Sequence, residues 1–125
     1  MAAGVNKLNS RAICVRIAPN EDLVTSVEKT CLKENILNAF IRGSLGSLTS
    51  PNQEIAEEKS QAVEGPVVEI LCLNGEVKCD DGDVPQASLY GVVVDQHGDI
   101  RAGRFIRDAN NVCVTMELII EEWGG

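Results

Sequence analysis

The chain has 125 residues, 44% of them apolar, and a formal net charge of −8 from 19 acidic against 11 basic side chains. That length suits one domain with a proper core, and no apolar run approaches the roughly 18 residues a membrane helix needs. Nucleic-acid binding rests on Lys and Arg displacing phosphate counterions, and here no two basic residues are adjacent, so charge disfavours DNA unless folding or symmetry gathers a basic patch.

Residues 1–10 have no periodic pattern and are expected to be a flexible N-terminus. From Arg11 to Ala18, Ile13, Val15 and Ile17 alternate with Cys14 and Arg16, the pattern of a strand. Pro19-Asn20 then opens a helix, with Asn20 as N-cap and Glu21 and Asp22 at the positive end of its dipole. Leu23, Val24, Val27 and Cys31 form one apolar stripe, so this helix should lie on a sheet and end near Asn35. Leu37 to Arg42 reads as the second strand. It runs into Gly43-Ser44-Leu45-Gly46-Ser47-Leu48, where the glycines either permit a bulge or expose backbone N–H groups to an anion. No Lys follows in the phosphate-loop pattern, which favours the bulge.

Ser50 to Glu64 is polar and weakly patterned, a surface loop on this reading, with Glu57-Glu58-Lys59 as a solvated face. Gly65 to Val77 reads as the central strand, apolar on both faces, with Asn74-Gly75 closing it in a tight hairpin. Lys78 to Pro85 is a turn region. Its Asp80, Asp81 and Asp83 beside Gly82 lack the spacing and the distant Glu of a calcium loop. Gln86 to Val94 and Ile100 to Ile106 are strands joined by a turn over Asp95–Asp99, with His97, the sole histidine, solvated at its tip. The last strand, Val112 to Glu121, alternates cleanly: Val112, Val114, Met116, Leu118 and Ile120 on one face, Cys113, Thr115, Glu117, Ile119 and Glu121 on the other.

Five cysteines (Cys14, Cys31, Cys72, Cys79, Cys113) with no Cys-x-x-Cys pair read as buried reduced thiols, not as a metal or redox site. The N-terminus lacks the apolar core of a secretory signal, so a cytoplasmic protein is expected. The order of elements predicts an α+β domain over residues 11–125: a mainly antiparallel mixed sheet of six strands with one main helix on one face. One helix cannot cover such a sheet, and self-association is the natural way to bury the uncovered face.

Four segments carry a family resemblance. They are Arg11-x-x-x-x-Arg16-Ile17; Gly43-Ser44-Leu45-Gly46-Ser47-Leu48; Gly65-Pro-Val-Val-Glu-Ile-Leu-Cys-Leu-Asn-Gly75; and Asp95-Gln-His-Gly-Asp-Ile-Arg-Ala-Gly-Arg-Phe105, followed by Thr115-Met-Glu-Leu-Ile-Ile-Glu-Glu122. In that order they resemble the PPC domain of plants and prokaryotes, also found in plant AT-hook nuclear-localised proteins, over about residues 11–123. The resemblance implies a mixed sheet, one main helix and a homotrimer. Relatives are described as candidate DNA-binding proteins, but in the plant members a separate basic hook holds the DNA, and no Arg-Gly-Arg-Pro hook occurs here. Many prokaryotic relatives carry a His-x-His pair and a third His, a plausible metal site. Those places fall at Ser88, Tyr90 and Arg104 in this chain. Ser, Tyr and Arg cannot replace imidazole ligands to zinc, so no metal and no cofactor is expected. An arginine there could instead favour an anion.

Glu69 and Glu117 are acids inside apolar strands, and a buried carboxylate needs a reason. Either they form ion pairs with Arg16, Arg42 or Arg104, or they line a polar pocket of the assembly completed by Arg16, Arg42, Ser44, Ser47, Arg104 and Thr115. Three functions follow: a trimeric assembly or binding module without catalysis, able to take other proteins as partners; a small-ligand-binding protein or enzyme with its site between subunits; and a DNA-associated regulator. No catalytic residues are assigned, because the chain holds no nucleophile–base pair.

Overall fold

The structure is a computed structural model that describes residues 3–5, 11–80, 82 and 84–123. The expected flexibility of residues 1–10 falls mostly outside these, as do Asp81 and Asp83 of the turn considered for calcium. In chain order the elements are β1 (Ala12–Ile17), α1 (Leu23–Lys33), β2 (Ala39–Leu48), β3 (Asn52–Ala56), β4 (Lys59–Ala62), β5 (Val68–Lys78), β6 (Gln86–Val94), β7 (Ile100–Phe105) and β8 (Val112–Glu122).

The strands form one sheet in the order β1-β8-β2-β5-β6-β7-β3-β4. Every ladder among the described residues is antiparallel, so the parallel pair that a mixed sheet requires is not among them. The reason is β8. The unit β1-α1-β2 would by itself bring two parallel strands together, but the last strand inserts between them and pairs with both. Helix α1 covers one face, burying Leu23, Val24, Val27 and Cys31 against a core that includes Ile17, Ile41, Leu73, Val77, Leu89, Met116 and Ile120.

Several local expectations are corrected. The helix is capped by Asp22, not Asn20, which instead turns the chain with φ +71°. Asp22 Oδ2 accepts from the Thr25 and Asp108 amides at 2.9 and 3.2 Å, and Oδ1 accepts from the Asn110 amide at 2.9 Å. One carboxylate therefore caps the helix and clasps the β7–β8 turn to it. Glu28, nearly two turns on, accepts from the Ala87 amide at 2.8 Å and pairs with Arg107, tying the helix to the start of β6.

The polar stretch expected as a loop is the β3–β4 hairpin. Gln53 and Val63 are buried, and Gln53 Nε2 donates to the Gly91 carbonyl at 3.1 Å. Asn110, also buried, anchors it: its Oδ1 accepts from the Asn52 amide at 2.8 Å, and its Nδ2 donates to the Asn52 and Ile106 carbonyls. Asn74-Gly75 is not a hairpin either. β5 runs through it to Lys78, and Gly75 lies between Ile41 of β2 and Leu89 of β6. A Cβ there would come within 2.3 Å of the Ser88 carbonyl, so the glycine marks close packing of backbone, not a turn.

β2 begins at Ala39 and continues past the glycines to Leu48, with register shifts at Arg42/Ser44 and Gly46/Leu48. Gly43, at φ +57°, is the first bulge, as a bend-permitting glycine should be. The second shift explains Val114. Its place in the alternation of β8 predicts a core-facing side chain, yet it is 65% exposed, while Val112, Met116, Leu118 and Ile120 are buried. β5 carries its own shift between Ile70 and Cys72, which leaves Leu71 and Cys72 exposed and turns Leu73 inward. The strand is thus buried on one face only.

Candidate functional site

The candidate residues lie mostly on the sheet face away from α1. Register lets that face be drawn as rows across the strands. One row is Asn74, Tyr90, Arg104 and Glu54, from β5 through β6 and β7 to β3. Another is Arg16, Glu117 and Leu45, from β1 through β8 to β2. A third is Ser47, Glu69, Val94 and Ile100.

Within these rows the charges are matched inside the chain. Arg16 donates to Glu117 Oε1 through Nη2 at 2.9 Å and Nε at 3.2 Å. Arg42 Nε lies 3.3 Å from Glu121, and Arg104 Nη2 lies 3.0 Å from Glu54. Glu69 makes no ion pair among the described residues, and it is exposed. The expectation of two buried carboxylates is therefore corrected: Glu69 is in solvent, and Glu117 is half-buried beneath its arginine. Plain strand alternation points Glu69 outward while Val68 and Ile70 face the core.

Ser44 pairs in register with Leu118, a core residue, and its hydroxyl is buried without a hydrogen-bond partner among the described residues, as is that of Thr115. Ser47 is buried beside Glu69, with its Oγ 3.4 Å from the Val114 amide. The structure brings Arg16 with Glu117, and Ser47 with Glu69. Arg104 belongs to a separate cluster with Glu54, Tyr90 and Asn74.

Two shallow grooves cross this face. One, of about 270 Å³, is lined by Cys72, Asn74, Tyr90, Val92 and Ala102 above the paired Gly91 and Gly103. The other, about 280 Å³, is lined by Cys14, Gly43, Leu45, Glu117 and Ile119. Between and around them the face is apolar: Leu45 is 70% and Leu71 54% exposed, and Phe40, Tyr90 and Val114 are exposed as well. An uncovered face is what the sequence leads one to expect, but not its residues, because the bulge at Gly43 turns Leu45 outward and the one after Ile70 sends Leu73 to the core. Sequence reading also missed Glu54, hidden in a stretch that looked like loop.

Ser88, Tyr90 and Arg104 do come together on this face, since Tyr90 and Arg104 are direct cross-strand partners and Ser88 is two residues from Tyr90. They offer a cation no imidazole, and the guanidinium is already held by Glu54. Among the described residues no group of three His, Cys, Asp or Glu is placed to hold a metal ion. The thiols correct the sequence reading: only Cys31 is buried, while Cys14 and Cys72 are exposed and Cys79 and Cys113 intermediate. Burial, reinforced by Glu28 and Glu122, pushes the Cys31 thiol up to about 11.

Comparison with known proteins agrees with this architecture. A plant- and prokaryote-conserved (PPC) protein from Pyrococcus horikoshii is 25% identical, with a TM-score of 0.82 over 100% of this chain and 86% of its own. A metal-containing protein from Archaeoglobus fulgidus shares the fold at 19% identity and TM-score 0.76, covering 98% of this chain and 87% of its own. A candidate DNA-binding protein from Bacteroides thetaiotaomicron does so at 16% identity and TM-score 0.79, over 96% and 86% respectively. No curated protein matches the sequence. The profile of the Plants and Prokaryotes Conserved (PCC) domain matches residues 6–124, and the chain belongs to that family.

Proposed function

We propose that this protein is an assembly module without catalysis, which forms a homotrimer through the sheet face opposite α1. The observation that carries the reading is the exposed apolar band built around Leu45 and Leu71. Fully burying each leucine is worth about 1.5–3 kcal/mol, and a contiguous apolar face is seldom left in water. Three copies is the number the family resemblance implies. The bound partners are further copies and other proteins. No helix of the described residues is long and apolar enough to cross a membrane. The five free thiols suit a reducing compartment, and we assign the protein to the cytoplasm.

Native mass spectrometry of the full chain tests this reading. A trimer in the native protein, reduced to monomer by Leu45→Asp or Leu71→Asp, is the expected result. A native monomer overturns it.

A second reading has one observation in its favour. Glu69 has no ion-pair partner among the described residues and stands in a row with Ser47, so it could meet a small ligand or another subunit's cation when the face is covered. A retained small mass in the same spectrum would support that reading. DNA binding, suggested by the Bacteroides neighbour's description, is opposed by charge. Arg11, Arg16, Arg42, Lys78, Arg104 and Arg107 are all committed to carboxylates of the same chain, six of the 11 basic residues. Few cations are left to release counterions from phosphates.

A further inference from the structure

We infer, resting on the assembly proposed above, that Tyr90 of one copy plugs the groove over β8 of the next. Its phenol donates there to the free oxygen of Glu117, so the partner copy completes a site that a single chain leaves open.

That groove, of about 280 Å³, runs over β8 between β1 and β2. Cys14, Gly43, Ser44, Leu45 and Ile119 give it small or apolar walls, and Glu117 is the one charged side chain that lines it. Arg16 holds Glu117 through Oε1 alone, with both Nε and Nη2, so Oε2 has no donor among the described residues. A second cation at Oε2 would sit beside the Arg16 guanidinium and be repelled by it. A neutral donor on an apolar body suits both the walls and the carboxylate, and tyrosine is such a side chain.

The chain supplies one candidate. It has one tyrosine, one tryptophan and two phenylalanines. Phe105 is buried in the core, and Phe40 and Trp123 stack on each other with ring centroids 5.6 Å apart. Tyr90 remains, 52% exposed on the same sheet face. Its cross-strand neighbour Arg104 is already held by Glu54, so Tyr90 brings no unpaired charge with it. It cannot fill the groove of its own chain. β2 and β5 lie between β8 and β6, which puts three strand spacings, about 14 Å, between the two, further than the side chain reaches.

Plug and groove thus occupy opposite halves of one face, and a contact between them is heterologous. Such contacts close into a ring when the rotation between copies allows it, which a homotrimer requires. The halves also interdigitate. Leu45 stands on the wall of the groove, and with Tyr90 seated there it packs on Cys72, Val92 and Ala102 of the other copy, which line the second groove beside Tyr90.

The contact is tested by linking thiols across it. In a Cys72→Ser background, which removes the thiol beside Tyr90, the Tyr90→Cys variant is treated with a short bismaleimide. Covalent dimers and trimers, and nothing larger, are expected, and Cys14→Ser should abolish them. Within one chain the two positions are four strand spacings apart, about 19 Å, so links form only between copies. Tyr90→Phe keeps the ring and should raise the concentration at which the trimer dissociates at least about tenfold. That effect should vanish when Glu117→Ala is already present, since the two groups act as a pair. A native trimer in which the introduced thiol stays unlinked, links that survive Cys14→Ser, or a Tyr90→Phe trimer as tight as the native one would each overturn the inference and leave the assembly standing. A native monomer overturns both.

Discussion

Gly91 illustrates how one residue can be dictated by its neighbours. It pairs with Gly103 across β6 and β7, and a Cβ on it would lie 2.6 Å from the Phe105 ring and 2.8 Å from the Cys72 carbonyl. Neither can give way, since Phe105 is buried in the core and the carbonyl is backbone. Gly91→Ala should therefore cost about 2–4 kcal/mol, read as a lower urea midpoint at unchanged slope. Cys31 makes a prediction in pH. Its thiol rises from 9.0 to about 11 through burial first and the charges of Glu28 and Glu122 second. The folded state thus holds its proton longer than the unfolded chain does. The stabilisation is fully present below about pH 9 and is lost as pH climbs toward 11, by roughly 2–3 kcal/mol at the top of that window. Stability measured from pH 8 to 11 should fall more steeply in the native protein than in Cys31→Ala.

At the scale of elements, the molecule depends on polar clasps as much as on its stripe of helical apolar residues. Asp22 caps α1 and holds the turn before β8 through three amides. Asp22→Ala orphans them together, and should cost about 1–3 kcal/mol in equilibrium unfolding, more than an isolated N-cap on a free helix end. The exposed Arg104–Glu54 pair offers a contrast. It joins β7 to β3 at 3.0 Å but stays in contact with water. Glu54→Gln should lower stability by less than about 1 kcal/mol and be indistinguishable from the native protein in high salt.

Taken whole, the molecule has one protected sheet face and one that is not. α1 seals the first, and Leu45 and Leu71 stand out from the second: the bulge at Gly43 turns Leu45 outward, Leu71 follows the alternation of Val68 and Ile70, and the bulge after Ile70 sends Leu73 to the core. The ion pairs on that face, Arg16–Glu117 and Arg42–Glu121, consume its arginines locally. Association through it should therefore be driven mainly by apolar burial. Salt in the physiological range should barely change the oligomeric state, while Leu45→Asp should abolish it, both read from native mass.

What the sequence determined by itself was everything carried by short-range periodicity. The alternation in β1 and β8 and the stripe Leu23–Val24–Val27–Cys31 are visible because burial of one face imposes a period on the chain. The Asp95–Asp99 turn was legible too, since Asp95 closes it by accepting the His97 and Asp99 amides. The β3–β4 hairpin was not, because its residues are held by Asn110 and by Gly91, 38 residues or more away, and not by a pattern of their own. Nor was the meaning of Asn74-Gly75. The same dipeptide suits a tight turn or a close crossing of backbones, and only the strands packed on either side choose between them. The exposed state of Leu45, Cys72 and Val114, and the burial of Leu73, followed from bulges that break the two-residue period, and a bulge is fixed by the partner strand's register. Only the tertiary structure could decide it.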